Sequence, residues 1–124
     1  MGGAEMKAAA LALALSIAAW DAAAQRPSRA EIEDGRAIAQ HECGACHGLD
    51  YATRSPRKDA PPFRSIGRRY RFPVLQEELI EGVKLGHPDM PRFQLPPQGV
   101  DALIAYLRDI QTRDPRTRRK KTPG

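Results

Sequence analysis

The stretch that most constrains this chain is Cys43-Gly44-Ala45-Cys46-His47, two cysteines three positions apart with a histidine directly after the second. A run of this kind is the attachment signature of a covalently bound c-type haem. The chemistry explains the spacing. Each thiol adds across one vinyl group at the porphyrin edge. Gly44 and Ala45 are small enough for the backbone to curl against the macrocycle. The turn then brings the His47 imidazole under the iron as proximal ligand.

Three other chemistries use the same residue types. A redox-active C-x-x-C follows a strand in a βαβ pattern, whereas the residues before Cys43 carry helical periodicity. A zinc site needs two further ligands, and the chain offers only His41, His47 and His87 with no second C-x-x-C. A disulfide across two residues would be strained and would leave His47 without a role.

The chain has 124 residues, enough for one small domain. Met6, Lys7, the apolar run from Ala8 to Ala19 and the small residues Ala22-Ala23-Ala24 read as a secretory signal peptide over residues 1–24. Met6 makes a better start for it than Met1, because Glu5 opposes Lys7. The run is too short to span a bilayer, which takes about 20 apolar residues. Export agrees with the motif, since both cysteines are used by the haem and attachment needs reduced thiols outside the cytoplasm. The periplasm is the expected compartment.

The body, residues 25–112, is nearly neutral. The formal charge of +5 belongs to residues 113–124, where Arg113, Arg116, Arg118, Arg119, Lys120 and Lys121 face one acid, Asp114. A like-charge run of this kind reads as a disordered basic tail. It has no interleaved aromatic residue, which argues against nucleic acid. An acidic redox partner or an anionic membrane surface would suit it better. With only three Phe and three Tyr in the mature body, the haem would supply much of the core, so the apo-protein is expected to fold poorly.

The periodicity predicts helices on both sides of the motif. Ser28 with Glu31 three residues on forms a capping-box pattern, and Ile32, Gly35, Ile38, Ala39 and Glu42 share one face. Gly35 inside that helix costs up to about 1 kcal/mol against Ala, which predicts a close crossing by another helix. Residues 48–63 are broken by Gly48, Pro56, Pro61 and Pro62 and read as loop, with Arg54, Arg57 and Lys58 solvated; a short helix or turn is expected over 65–70. Pro73 suits a helix start; Val74, Leu75, Leu79, Ile80 and Val83 form one apolar stripe, and Gly86 fits its stop. Glu77, Glu78 and Glu81 read as its solvated face. The last helix is expected from Gln98 or Gly99 to Ile110, burying Val100, Leu103, Ile104, Leu107 and Ile110 with Tyr106 at the edge. The chain carries no internal repeat, glycine-rich phosphate loop or nucleophile triad.

A six-coordinate haem needs a second axial ligand. Met90 is the candidate, a soft thioether held between Pro88 and Pro91 and lying on no helical stripe. His87 is the rival, and bis-histidine ligation would lower the potential. His41 precedes the motif too closely to reach the distal face and reads as a surface residue.

From about Glu31 to Gln111 the chain resembles a class I monohaem cytochrome c. Gly35-Arg36-Ala37-Ile38-Ala39 is similar to the N-terminal helix of bacterial members, and Leu103-Ile104-Ala105-Tyr106-Leu107 to the C-terminal helix of mitochondrial-type ones. The resemblance implies an all-α small cytochrome c fold whose N- and C-terminal helices cross beside the covalently bound haem. It sets Gly35 against Leu103 and Tyr106. It implies that the Pro61 carbonyl (with Pro62 as fallback) holds the Nδ1 proton of His47, a bond that orients the ring and raises its basicity. Gly67-Arg68 resembles a pair whose arginine approaches a haem propionate, and Tyr70 would be a further donor. The chain departs from the pattern at Ala39, where an aromatic residue often stands, in the compact stretch between Pro62 and Met90, and in the basic tail.

These readings make the chain a monomeric, non-enzymatic one-electron carrier of the periplasm. Its single haem c is attached through Cys43 and Cys46, its iron is held by His47 and Met90, and it meets its redox donor and acceptor transiently. The alternative is a haem c subunit permanently docked on a periplasmic dehydrogenase or terminal oxidase. A haem enzyme or gas sensor would need an open distal site, which a bound Met90 denies.

Overall fold

The computed structural model of the chain describes residues 26–82, 89–92, 94–115 and 119. Four helices are described and, among these residues, no strand: α1 (Arg29–Glu42), α2 (Phe63–Arg69), α3 (Phe72–Glu81) and α4 (Pro97–Arg113). The expected leader, Val83, Gly86, His87 and most of the basic tail lie outside the described residues.

α1 begins where its sequence says it should. The Ser28 hydroxyl accepts from the Glu31 amide at 3.1 Å, satisfying one of the four donors that a helix start leaves open. Its buried positions are Gly35 and Ala39, the two smallest side chains of the predicted face. That choice follows from how close α4 comes. A Cβ on Gly35 would overlap the Ala102 backbone carbonyl and stand 2.9 Å from the Tyr106 Cβ. The crossing is therefore the one the resemblance implies, with a shift of one residue: Ala102, rather than Leu103, forms the contact with Tyr106. Leu103 turns the other way, into the core.

α4 is the element on which the other three pack. Its buried residues, Val100, Ala102 to Leu107 and Ile110, go nearly all the way round, because α1 covers one side while α2 and α3 cover the other. Tyr106, expected at an edge, is buried. Polar contacts tie the pieces. Gln111 donates to the Phe63 carbonyl at 2.8 Å, Gln76 donates to Asp101 at 2.6 Å, and the Arg108 guanidinium lies 4.7 Å from the centre of the Phe72 ring. The helix runs past the expected Ile110 to Arg113, which pairs with Asp109. Asp114 beyond it is buried, 2 % exposed, with Arg68 at 3.5 Å. The folded body thus takes in the first two residues assigned to the tail.

α3 departs from its stripe. Leu75 and Leu79 are buried, but Val74 and Ile80 are 46 % and 44 % exposed. Among the described helices α4 alone makes substantial contact with α3, so a narrow arc of it is covered and an i, i+4 pair fills that arc. The helix also stops early. Gly82 adopts the left-handed conformation (φ 70°) and its amide closes on the Glu78 carbonyl, so the stop is Gly82 and not Gly86. The short helix expected over 65–70 is α2 and begins at Phe63, directly after Pro62.

Candidate haem site

α1 delivers the motif. Its last turn closes with the Cys43 amide on the Ala39 carbonyl, and the chain then tightens so that the His47 amide reaches the Cys43 carbonyl at 2.9 Å. This places Cys43 and His47 side by side, both buried, at the edge of a cleft of about 730 Å³ including its open mouth. Cys43 and Cys46 are free thiols, not joined to each other. Burial, followed by the nearby Glu42 and Cys46, pushes the Cys43 thiol up to about 12. In the folded chain it is held as the neutral thiol.

His47 is held by its far nitrogen. Nδ1 lies 2.7 Å from the Pro61 carbonyl oxygen. A carbonyl can only accept, so the proton sits on Nδ1 and Nε2 carries the lone pair that a metal needs. The Phe63 ring packs beside the imidazole, centroids 5.7 Å apart at 50°. The loop behind it is built around Gly48, whose amide donates to Ser55 Oγ at 3.0 Å and whose carbonyl accepts from the Phe63 amide at 2.8 Å. A Cβ on Gly48 would overlap the Thr53 carbonyl. Asp50 caps the same loop through the Ala52 and Thr53 amides and the Thr53 hydroxyl; the Thr53 bonds hold its carboxyl below the usual carboxylate range. Tyr106 Oη donates to the Leu49 carbonyl at 3.1 Å and pins the loop to α4.

The rest of the cleft is apolar. Phe63 and Ile66 from α2, Leu75 and Leu79 from α3, and Leu103 and Leu107 from α4 line it. Met90, half-buried, lines it as well, and Asp59, Arg69 and Tyr70 bring polar groups to it. The residues present fit a haem. A mainly apolar cleft, an imidazole with its lone pair on Nε2, a thioether, two thiols and a cation beside a phenol are the groups that a porphyrin with two propionates and an iron would engage.

Of the residues singled out in the sequence, the fold brings Cys43, His47, Pro61, Tyr70 and Met90 to one cleft. Cys46 is half-buried beside it. Arg68 is corrected. Its guanidinium turns to Asp114 and to the Arg64 carbonyl, and the cation on the cleft is Arg69. Arg57, expected to be solvated, is open to solvent and also bridges Asp59 and Asp89. His87 lies outside the described residues; His41 is exposed beside Glu42. Sequence reasoning missed Phe63, Ser55 and Arg57. An aromatic residue directly after Pro61-Pro62 was the available signal for Phe63.

The family model described as cytochrome c oxidase, cbb3-type, subunit III matches residues 30–107, and the chain belongs to that family. No curated protein and no solved structure matches it. A cytochrome c domain of this family carries covalent haem c with its iron and serves electron transport between redox partners.

Proposed function

We propose that this member of the family is a periplasmic one-electron carrier whose haem iron is ligated by His47 and Met90. The observation that carries the reading is that an imidazole already fixed by the Pro61 carbonyl shares one apolar cleft with Met90. The haem supplies the reversible one-electron couple of its iron. Cys43 and Cys46 anchor it at one edge. The Pro61 carbonyl keeps His47 in one tautomer, oriented and electron-rich. Phe63, Ile66, Leu75, Leu79, Leu103 and Leu107 exclude water, which limits reorganisation when the charge changes. A Met90 thioether favours the reduced state and raises the potential. Arg69 and Tyr70, in place of Arg68, take the propionates.

One spectrum tests this. Oxidised holo-protein should show the weak long-wavelength band of thioether-to-ferric charge transfer, and the reduced α band should survive acid-acetone extraction. A wild-type spectrum without the long-wavelength band, unchanged by Met90→Ala, removes Met90 as ligand and brings His87 forward.

The family match favours a second reading, a haem subunit permanently docked on a terminal oxidase. Among the described residues no helix is long and apolar enough to cross a membrane, so such docking would rest on protein contacts or on the leader, expected over residues 1–24. Copurification with an oxidase that survives high salt would select this reading over a free, monomeric carrier. The basic run Arg116 to Lys121 would steer either form to an acidic or anionic surface, within a Debye length of about 8–10 Å. Removing residues 116–124 should slow electron transfer at low salt and leave the haem spectrum unchanged. Equal rates at every salt concentration would deny the tail a docking role.

A further inference from the structure

Arg57 stands where the two sides of the cleft can be joined. Its backbone amide donates to the Cys46 carbonyl at 3.2 Å, inside the attachment motif. Its side chain makes a two-point fork to Asp59, Nε to Oδ1 at 3.0 Å and Nη2 to Oδ2 at 2.8 Å. The same Nη2 donates to Asp89 Oδ2 at 2.9 Å. Asp89 directly precedes Met90, and Asp59 lines the cleft. The path from Cys46 through Arg57 to Asp89 therefore links the segment carrying His47 to the segment carrying Met90, although 32 residues separate Arg57 from Asp89. Asp89 is held there by both a hydrogen bond and an ion pair to the same guanidinium.

We propose that Arg57 is a positioning residue for Met90, a latch whose bond to Asp89 holds the distal segment closed and keeps external ligands off the iron. The proposal rests on the His47/Met90 reading above. The fork to Asp59 has a separate part: it immobilises the guanidinium in advance, so that gripping Asp89 orders little more. The pair is open to solvent, so the latch is weak by construction. An opening of the segment by a few-fold is the expected scale of its effect, which suits a ligand that must stay bound during turnover without being locked.

The test uses the full holo-protein and imidazole as probe of the ferric iron, with Met90→Ala, Arg57→Gln, Asp89→Asn and the double variant Arg57→Gln/Asp89→Asn. Imidazole must displace the sixth ligand, so its affinity reads how readily Met90 leaves. Exposed pairs predict an affinity raised about two- to five-fold in each single variant. The double variant should show the same rise and no more, because all three break one link. The rise should shrink with added salt, and the long-wavelength thioether band should remain in every variant that keeps Met90. Melting temperatures check that the fold persists. A wild-type band together with unchanged affinity in Arg57→Gln and Asp89→Asn overturns the latch and leaves Met90 ligation standing. If Met90→Ala itself leaves the affinity and the band region unchanged, the ligation reading and the latch fall together.

Discussion

The two sides of the cleft are built by different means. On the proximal side the chain folds back on itself within 20 residues through bonds from His47 to Pro61 and from Gly48 to Ser55 and to Phe63, and Tyr106, 57 residues on, ties the loop at Leu49. On the distal side the wall is the apolar faces of α3 and α4, and Met90 is reached by a segment whose described residues hold on through Asp89 to Arg57. One side is held by several such bonds; the other, among its described residues, by the link through Asp89. A carrier of electrons gains from this arrangement. In the proposed carrier the imidazole, its tautomer set by the Pro61 carbonyl, is held firmly, while the thioether that would tune the potential keeps room to relax.

The sharpest way to break that comparison is to truncate one residue on each side. Phe63 is buried against His47, and Phe63→Ala should cost about 3–5 kcal/mol in denaturant unfolding of the holo-protein. Met90→Ala, at a half-buried position, should lower stability clearly less while changing the spectrum more. Equal losses of stability would mean that the distal side is as preorganised as the proximal one.

A smaller effect is expected at Ser55. Ser55→Ala leaves the buried Gly48 amide without its acceptor, a loss of about 1–3 kcal/mol. Because the Gly48 loop positions Phe63 behind the imidazole, NMR shifts of the His47 ring should move while those of the Met90 methyl stay. Movement of the methyl alone would reverse the assignment of rigid and yielding sides.

The smallest expected effect sharpens the picture from the far end. Tyr106→Phe removes the bond to the Leu49 carbonyl and should cost about 1 kcal/mol near neutral pH. Burial raises the Tyr106 hydroxyl above its ordinary value. The folded chain thus binds that proton more tightly than the unfolded one. The resulting stability is complete below about pH 10 and is lost as pH rises through the folded value. The wild type should lose stability in alkali more steeply than Tyr106→Phe. Parallel curves would place the hydroxyl in water.

What could be read in advance was whatever a single residue type betrays locally. The motif, the isolated methionine and the glycine of the crossing all have unusual chemistry or backbone freedom at one position, whereas the proline that meets His47 came from the family resemblance. The α3 stripe misled at Val74 and Ile80 because periodicity reveals an apolar arc, not how wide a neighbour covers it. Gly86 fits the stop by position, but Gly82 comes first and turns left-handed. Arg68 and Arg69 are adjacent on a helix and point about 100° apart. Arg69 lines the cleft while Arg68 turns to Asp114, 46 residues away, a partner that no local pattern exposes. Arg57 escaped notice for the same reason: its meaning lies in Asp89.

The crossing at Gly35 acts as a fulcrum. α1 continues from that contact to Cys43 without a break, a lever arm of about 12 Å at 1.5 Å per residue. A tilt of about 10° at the pivot would carry the first attachment sulfur about 2 Å sideways, enough to miss a vinyl carbon. The absent side chain, far from the iron, is thus a tolerance on where the haem is bolted.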